Sequence, residues 1–351
     1  MISNIPKPDK PAWEGPIKGG ITQSILIRFC ECPFRFYLYA YCGLKEQEPP
    51  HENLVWGDIL HKGLEHFIQG DSISVCIQAM KDYQAERYPI VPPSYMHTTA
   101  NMLAMYPRDR LFATYGEFDT EVDLKAVFPI ITHNGRWEVK YRGKTDFVAK
   151  NKSVFGDHKC KGRTYPSDTL KELGHDLQMN LYGKMMGIEN WIYDLIMIPE
   201  EQYKFPDRGL NESPAQWIYR VFYTHSNPRD IEWGFPISKQ PTRWITQLPY
   251  YQSKEDMDAY FNFTTGPLSL RMLEFWELVN DPNFDPNDPK WYGPAFYQMP
   301  ARMFDPSRTD KFKPHFHGIL TEQIDFSDLV RVHDFYPELV HEPTDNSSIS
   351  A

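Results

Sequence analysis

Between Glu121 and Val127 charged and apolar residues alternate, the two-residue period of a strand with one buried face. Asn134-Gly135 follows as a hairpin turn, and the chain returns through Trp137–Tyr141 into Gly143–Ala149. Asn151 and its polar neighbours turn it again into Val154–Lys159, which completes a three-stranded antiparallel meander. The pattern before these strands is helical. Thr22 caps a helix through Ser24–Phe29 that stops before Cys32-Pro33, and Phe34–Tyr41 forms a second, aromatic helix ended by Gly43. A third helix covers Trp56 to Gln69, with Leu60, Leu64, Phe67 and Ile68 at helical spacing, and another helical segment lies within Ser72–Tyr88. After the meander a helix runs from Ser167 or Leu170 to Met186 and ends at Gly187, and Trp191–Ile198 and Trp217–Thr224 supply two further strands. This order predicts an α/β core, a mixed central sheet flanked by helices.

The pattern weakens beyond Thr224. Residues 226–250 read as a Pro-rich connection, and Ser253-Lys254-Glu255-Asp256 reads as a capping box opening a helix that continues to about Asn280. The acidic run from Asp281 to Pro289 superficially resembles a calcium loop. It lacks the central glycine and terminal glutamate, and its three prolines make it a turn-rich loop. The expected organisation is a loose leader at 1–20, a core over 21–225, a Pro- and aromatic-rich extension packed on it over 226–342, and a disordered tail at 343–351.

Composition narrows the class. The 15% aromatic content is that of a folded protein, not a disordered one. A formal net charge of −10 excludes coating of nucleic acid by global attraction but leaves room for a local basic groove. Lys140, Arg142, Lys144, Lys150, Lys152, Lys159, Lys161 and Arg163 are the residues that would form one, although solvated strand faces account for the outer lysines equally well. The five cysteines contain no CxxC pair and are expected to be reduced thiols. The opening residues show no secretory signal, and the apolar stretch at Trp191–Ile198 is too short to span a bilayer. The expected setting is cytoplasmic, with no membrane partner.

Candidate chemistry centres on the last two arms of the meander, which carry Asp146, Asp157 and Lys159. Alternation along the strand puts Asp157 and Lys159 on one face and His158 on the other. Two carboxylates gathered on a hydrophobic hairpin are costly without a counter-ion, and a divalent cation supplies one. A cation that polarises phosphate, with an ammonium beside the developing charge, is what phosphodiester hydrolysis requires. Two helical pairs accompany the hairpin: His61 with Glu65, one turn apart, and Gln178 with Tyr182, also on one face. Each has a plain reading of its own, a packed or surface histidine, an amphipathic helix edge, a turn-proximal aspartate, a surface ion-pair run. The order His, Asp, Asp-x-Lys, Gln-x-x-x-Tyr, each on a suitable element, is harder to obtain by accident.

Over about residues 22–225 the chain resembles the RecB-like branch of the PD-(D/E)XK nuclease superfamily, which includes CRISPR-associated RecB-like exonucleases and many phage nucleases. The resemblance is carried by Ser24 with Cys32-Pro33-Phe34-Arg35-Phe36-Tyr37-Leu38, by Gly57, His61 and Glu65, by Gly143 and Asp146, by Asp157 and Lys159, and by Gln178 and Tyr182. It implies a restriction-endonuclease-like core with helical and loop-rich additions. It implies that His61, Asp146, Asp157 and the backbone carbonyl of His158 bind Mg²⁺ or Mn²⁺, and that Lys159 orients the attacking water and stabilises the phosphate. Glu65 would support the site or bind a second metal, Gln178 and Tyr182 would position the DNA backbone, and Lys161, Arg163 and Tyr165 would contact nucleic acid. Several relatives carry an iron–sulfur cluster built from one cysteine near the Cys-Pro pair and three near the C-terminus. Here no cysteine follows Cys160, so no cluster is expected.

The resemblance therefore implies a metal-dependent deoxyribonuclease, an exonuclease on DNA ends in recombination, repair or phage DNA processing. An endonuclease or resolvase, and a catalytically silent nucleic-acid-binding protein of the same fold, remain as alternatives. With no Gly-x-x-x-x-Gly-Lys-Ser/Thr loop in the sequence, the protein acts alone or with a separate helicase or recombination partner.

Overall fold

Five strands build the central sheet in the spatial order β1 (Phe118–Thr132), β2 (Gly135–Ala149), β3 (Phe155–Lys161), β4 (Asn190–Met197) and β5 (Ile245–Tyr251). They are seen in a computed structural model that describes residues 5–46, 52–89, 102–103, 105–132, 135–161, 171–197 and 245–291, with a few short stretches elsewhere. Strands β2 and β3 pair antiparallel, β3 and β4 parallel, and β4 and β5 antiparallel. The sheet is therefore mixed, as the sequence predicts. Seven helices of seven residues or more are described: α1 (Gln23–Glu31), α2 (Glu52–Ile68), α3 (Ile73–Arg87), α4 (Arg108–Tyr115), α5 (Leu177–Met186), α6 (Lys254–Tyr260) and α7 (Gly266–Val279).

The chain divides into two units. One comprises Met1–Glu48, Lys125–Gly143 and Phe261–Ala351; the other comprises Pro49–Leu124 and Lys144–Tyr260. This division differs from the linear split into 21–225 and 226–342, because each unit draws on separated stretches of chain.

In the first unit Thr22 Oγ1 accepts the Ile25 amide and starts α1, as its N-cap position predicts. The aromatic segment after it is a helical turn at Pro33–Phe36 continued by a π-turn at Tyr37–Tyr41. Its rings pack with those of Trp13, Phe29 and Phe275. Trp13 is wholly buried, touches Trp276, and donates from Nε1 to Gly20 O at 3.1 Å. Ile5 exchanges two hydrogen bonds with the Asn287 side chain. Residues 5–20 thus form part of a packed unit where a loose leader was expected, since a buried tryptophan ties them down. In the acidic run, Asp281, Asp285 and Asp288 accept backbone amides two residues on, the side-chain turns that a Pro-rich loop uses.

The second unit has an apolar core of its own. Ile59, Leu60, Leu64 and Phe67 of α2 pack with Met80, Phe118, Phe147, Ile192 and Ile196. A Cβ added at Gly63 would lie 2.9 Å from Met80 Cγ and closer still to its sulfur, so that glycine sets the approach of α2 to α3. Gly57 does not have this role toward the sheet. A Cβ there would meet Cys160 Cβ at 3.5 Å, an ordinary contact.

Two expectations are corrected. The helix read from Ser167 or Leu170 to Met186 is interrupted: Lys171 and Glu172 are helical and Leu173–His175 form a 3-10 turn, after which Asp176 caps α5 by accepting the Met179 amide at 2.9 Å; α5 ends at Gly187, whose φ of 69° is left-handed. A fifth strand, β5, lies where residues 226–250 read as connection. It is the outer strand beside β4, a place where Pro249 can be accommodated. The turn at Asn134, the strand expected at Trp217–Thr224 and the tail at 343–351 lie outside the described residues.

Candidate active site

Strand β3 places Asp157 and Lys159 on one face, and helix α5 brings Gln178 to them. Gln178 donates from Nε2 to Asp157 Oδ1 at 2.5 Å and accepts from Lys159 Nζ at 2.9 Å. Lys159 Nζ lies 2.5 Å from Asp157 Oδ2. The amide can do both jobs because it carries a donor and an acceptor, and the three side chains close a ring. Burial pushes the Asp157 carboxyl upward, and the neighbouring ammonium only partly offsets it. Burial opposes the charge on Lys159, but Asp157 first and Asp146 further off hold its ammonium well above the ordinary lysine range.

Asp146 stands on β2. Its Oδ2 accepts the His158 backbone amide at 2.5 Å, and its Oδ1 lies 3.5 Å from His61 Nδ1 on α2. Burial works against its charge, yet His61 and the His158 amide keep Asp146 well below the usual carboxylate range. In return His61 is raised well above its ordinary value despite its burial, by Asp146 and secondarily by Cys160. Tyr182, one turn beyond Gln178, accepts the Lys144 backbone amide at 3.3 Å and so pins β2 two residues before Asp146. Burial pushes its phenol up to about 12, which leaves it neutral.

His61, Asp146 and Lys159 line a cleft of about 860 Å³ together with Glu65, Tyr83 and Glu121 among others, and Asp157 and Gln178 are joined to it through Lys159. Glu65 pairs with Lys62 on its own helix at 2.7 Å. The expected basic groove is largely neutralised where it is described: Lys144 pairs with Glu121 at 2.9 Å and Lys150 with Glu117 at 2.7 Å. Lys161 ends β3, and its side chain, like Arg163 and Tyr165, lies outside the described residues. The His158 ring turns to the opposite face of β3, as strand alternation requires, and reaches Asp194. Its Nδ1 is therefore committed to Asp194. The sequence reading missed Cys160 beside His61 on the cleft wall, and missed Asp194 altogether.

The donor chemistry fits a divalent cation. Asp146 and His61 line the cleft, and Asp157, joined to it through Lys159, has a buried Oδ2 with no donor in hydrogen-bonding alignment. Carboxylate oxygens suit Mg²⁺ and Mn²⁺, and an imidazole favours the second slightly. Among the described residues, no three His, Cys, Asp or Glu side chains are drawn together as a finished ligand set. In this conformation Lys159 and His61 serve as the counter-charges of the two aspartates.

A five-stranded mixed sheet flanked by helices, with an aspartate on each of two antiparallel neighbours and a lysine two residues after the second, defines a restriction-endonuclease-like nuclease fold. Residues 21–190, just under half of the chain, match the family model of the PD-(D/E)XK nuclease superfamily. Two solved structures show a slight likeness. A phage related exonuclease from Haemophilus somnus 129PT has 15% identity and a TM-score of 0.25, covering 56% of this chain and 79% of that one. The protein SSO0001 has 15% identity and a TM-score of 0.26, covering 68% and 82%. No curated protein matches the sequence. None of the helices described is long and apolar enough to cross a membrane.

Proposed function

We propose that this nuclease is a metal-dependent deoxyribonuclease of the RecB-like kind, working as an exonuclease on DNA ends during recombination, repair or phage DNA processing. The observation that carries the reading is the closed ring of Asp157, Lys159 and Gln178, whose Lys159 lines one cleft with the Asp146–His61 pair.

His61, Asp146, Asp157 and the His158 carbonyl would hold Mg²⁺ or Mn²⁺. When bound, such a cation polarises the phosphate and lowers the pKa of a water. Lys159, kept protonated by two carboxylates, orients the attacking water and offsets negative charge developing on the phosphate. Preorganised cations of this kind are typically worth about 3 kcal/mol of transition-state stabilisation. Gln178 holds the Asp157 carboxylate and the ammonium in register, so neither needs to reorganise as charge develops. Tyr182 fixes the strand that carries Asp146. Glu65, one turn from His61, supports that side of the cleft or binds a second cation. A separate motor protein would supply strand opening where duplex must be unwound.

The test compares uniformly labelled linear duplex with the same DNA as a covalently closed circle, each with Mg²⁺ and with Mn²⁺. Linear DNA should be degraded to short products while closed circles survive. Cutting of closed circles would replace the exonuclease assignment by an endonuclease one. Cleavage of neither would leave only a nucleic-acid-binding role.

A further inference from the structure

Asp194 sits in the middle of β4, wholly buried, on the face of the sheet that the His158 ring occupies. Cross-strand register aligns His158 of β3, Asp194 of β4 and Gln247 of β5 in one row. His158 Nδ1 lies 2.9 Å from Asp194 Oδ2. Tyr106 Oη donates to that same oxygen at 2.5 Å, and Gln247 Nε2 donates to Oδ1 at 3.1 Å. A buried carboxylate is expensive even when it is paired, and apolar residues would commonly fill such a place at less cost. The row therefore calls for a reason beyond its own hydrogen bonds.

His158 supplies one, because it lines the cleft and touches both Asp146 and His61. Its ring is held by Asp194 and packed edge-on by Tyr106, with centroids 5.5 Å apart. Its backbone amide holds Asp146, and its ring meets that of His61 edge to face at 5.6 Å. Whatever fixes the imidazole therefore fixes both the peptide that orients Asp146 and the surface against which His61 rests.

We propose that Asp194 is a positioning residue of the nuclease centre: acting through His158, it sets the geometry of Asp146 and His61 and thereby the affinity of the site for its divalent cation. The proposal rests on the metal-dependent reading above. Groups that orient ligands from behind are typically worth about 10–100-fold in metal affinity or activity.

The test is calorimetric titration of Mn²⁺ into the DNA-free full-length protein, with melting in EDTA recorded alongside. The variants are Asp194→Asn, Tyr106→Phe and Tyr141→Phe. Tyr141 provides the control, since its buried hydroxyl hydrogen bond goes to Ser269 at 2.7 Å, with no link to His158. Asp194→Asn should weaken Mn²⁺ binding about 10–100-fold and Tyr106→Phe by less, while Tyr141→Phe lowers the melting temperature and leaves Mn²⁺ affinity unchanged. Raising Mn²⁺ should restore much of the cleavage lost by Asp194→Asn. Should Asp194→Asn fail to fold, Tyr106→Phe decides alone. Wild-type Mn²⁺ affinity in both Asp194→Asn and Tyr106→Phe, or equal weakening by Tyr141→Phe, overturns the proposal. A wild type that binds no Mn²⁺ overturns the metal-dependent reading itself, and the proposal with it.

Discussion

Gly156 precedes Asp157 and faces Phe147 across the β2–β3 pair. A Cβ placed there would come within 2.5 and 2.6 Å of two ring carbons of Phe147 and closer still to Cζ, where ordinary contact begins near 3.4 Å. Gly156→Ala must therefore displace the ring or the strand by on the order of 1 Å. The ring has little freedom, being wholly buried and packed against Phe118 and His158 at centroid distances of 5.5 and 5.1 Å. The strand is held from the other side by Thr145 Oγ1, which donates to Gly156 O at 2.8 Å. Overpacking of this kind costs about 1–3 kcal/mol, and at roughly 2–4 °C per kcal/mol for a unit of this size the melting temperature should drop by several degrees. Circular dichroism melts of wild type, Gly156→Ala, Phe147→Leu and the double variant measure it. If the clash with the ring is the cause, the double variant should lose at least about 0.5 kcal/mol less than the sum of the singles. Additive losses, or a Gly156→Ala protein as stable as wild type, would refute the steric explanation.

Other outcomes follow from the same structure. Gln178→Ala should lower the single-turnover cleavage rate by about 10–100-fold. Gln178→Glu should be worse, because it can still accept from Lys159 but sets another carboxylate against Asp157 Oδ1; a Glu variant faster than the Ala variant would contradict this. In EDTA the His61–Asp146 pair should make stability depend on pH. The raised His61 contributes fully below its ordinary value of 6.5 and loses that contribution as pH rises through its higher folded value. The depressed Asp146 contributes above its ordinary 3.8 and loses that contribution as pH falls through its lower folded value. Urea titrations should therefore show wild type ahead of His61→Gln near about pH 6, with the gap closing at alkaline pH; a gap that widens there would count against the ion pair. Trp13→Ala should destabilise by about 3–5 kcal/mol in chemical denaturation, whereas an N-terminal segment that contributes nothing would show no change.

What the sequence made legible was local. Thr22 and Asp146 could be placed because a cap residue and a strand alternation leave marks within a few positions. Gly143–Ala149 and Val154–Lys159 announced a hairpin that carries both carboxylates. The misses share a cause. Pro249 and a Pro-rich approach disguised β5, whose strand conformation depends on the β4 edge beside it and not on its own composition. Residues 5–20 looked loose because Trp13 finds its partners in α7, more than two hundred residues away. Asp194 gave no local sign, since its meaning comes from register across three strands with His158 and Gln247. The break before α5 left no sign in the sequence, since Asp176 reads as one more polar helix position until it accepts the Met179 amide.

The most direct measurement is single-turnover digestion of end-labelled linear duplex in Mg²⁺ and in Mn²⁺ by wild type, Asp157→Ala and Lys159→Ala, with DNA binding followed in parallel. Wild type should cleave only when the cation is present, Lys159→Ala should fall by about 100-fold or more with binding retained, and Asp157→Ala should fall further. Cleavage by either variant at the wild-type rate, or none by wild type with either cation, would contradict a hydrolytic centre built on Asp146, Asp157 and Lys159.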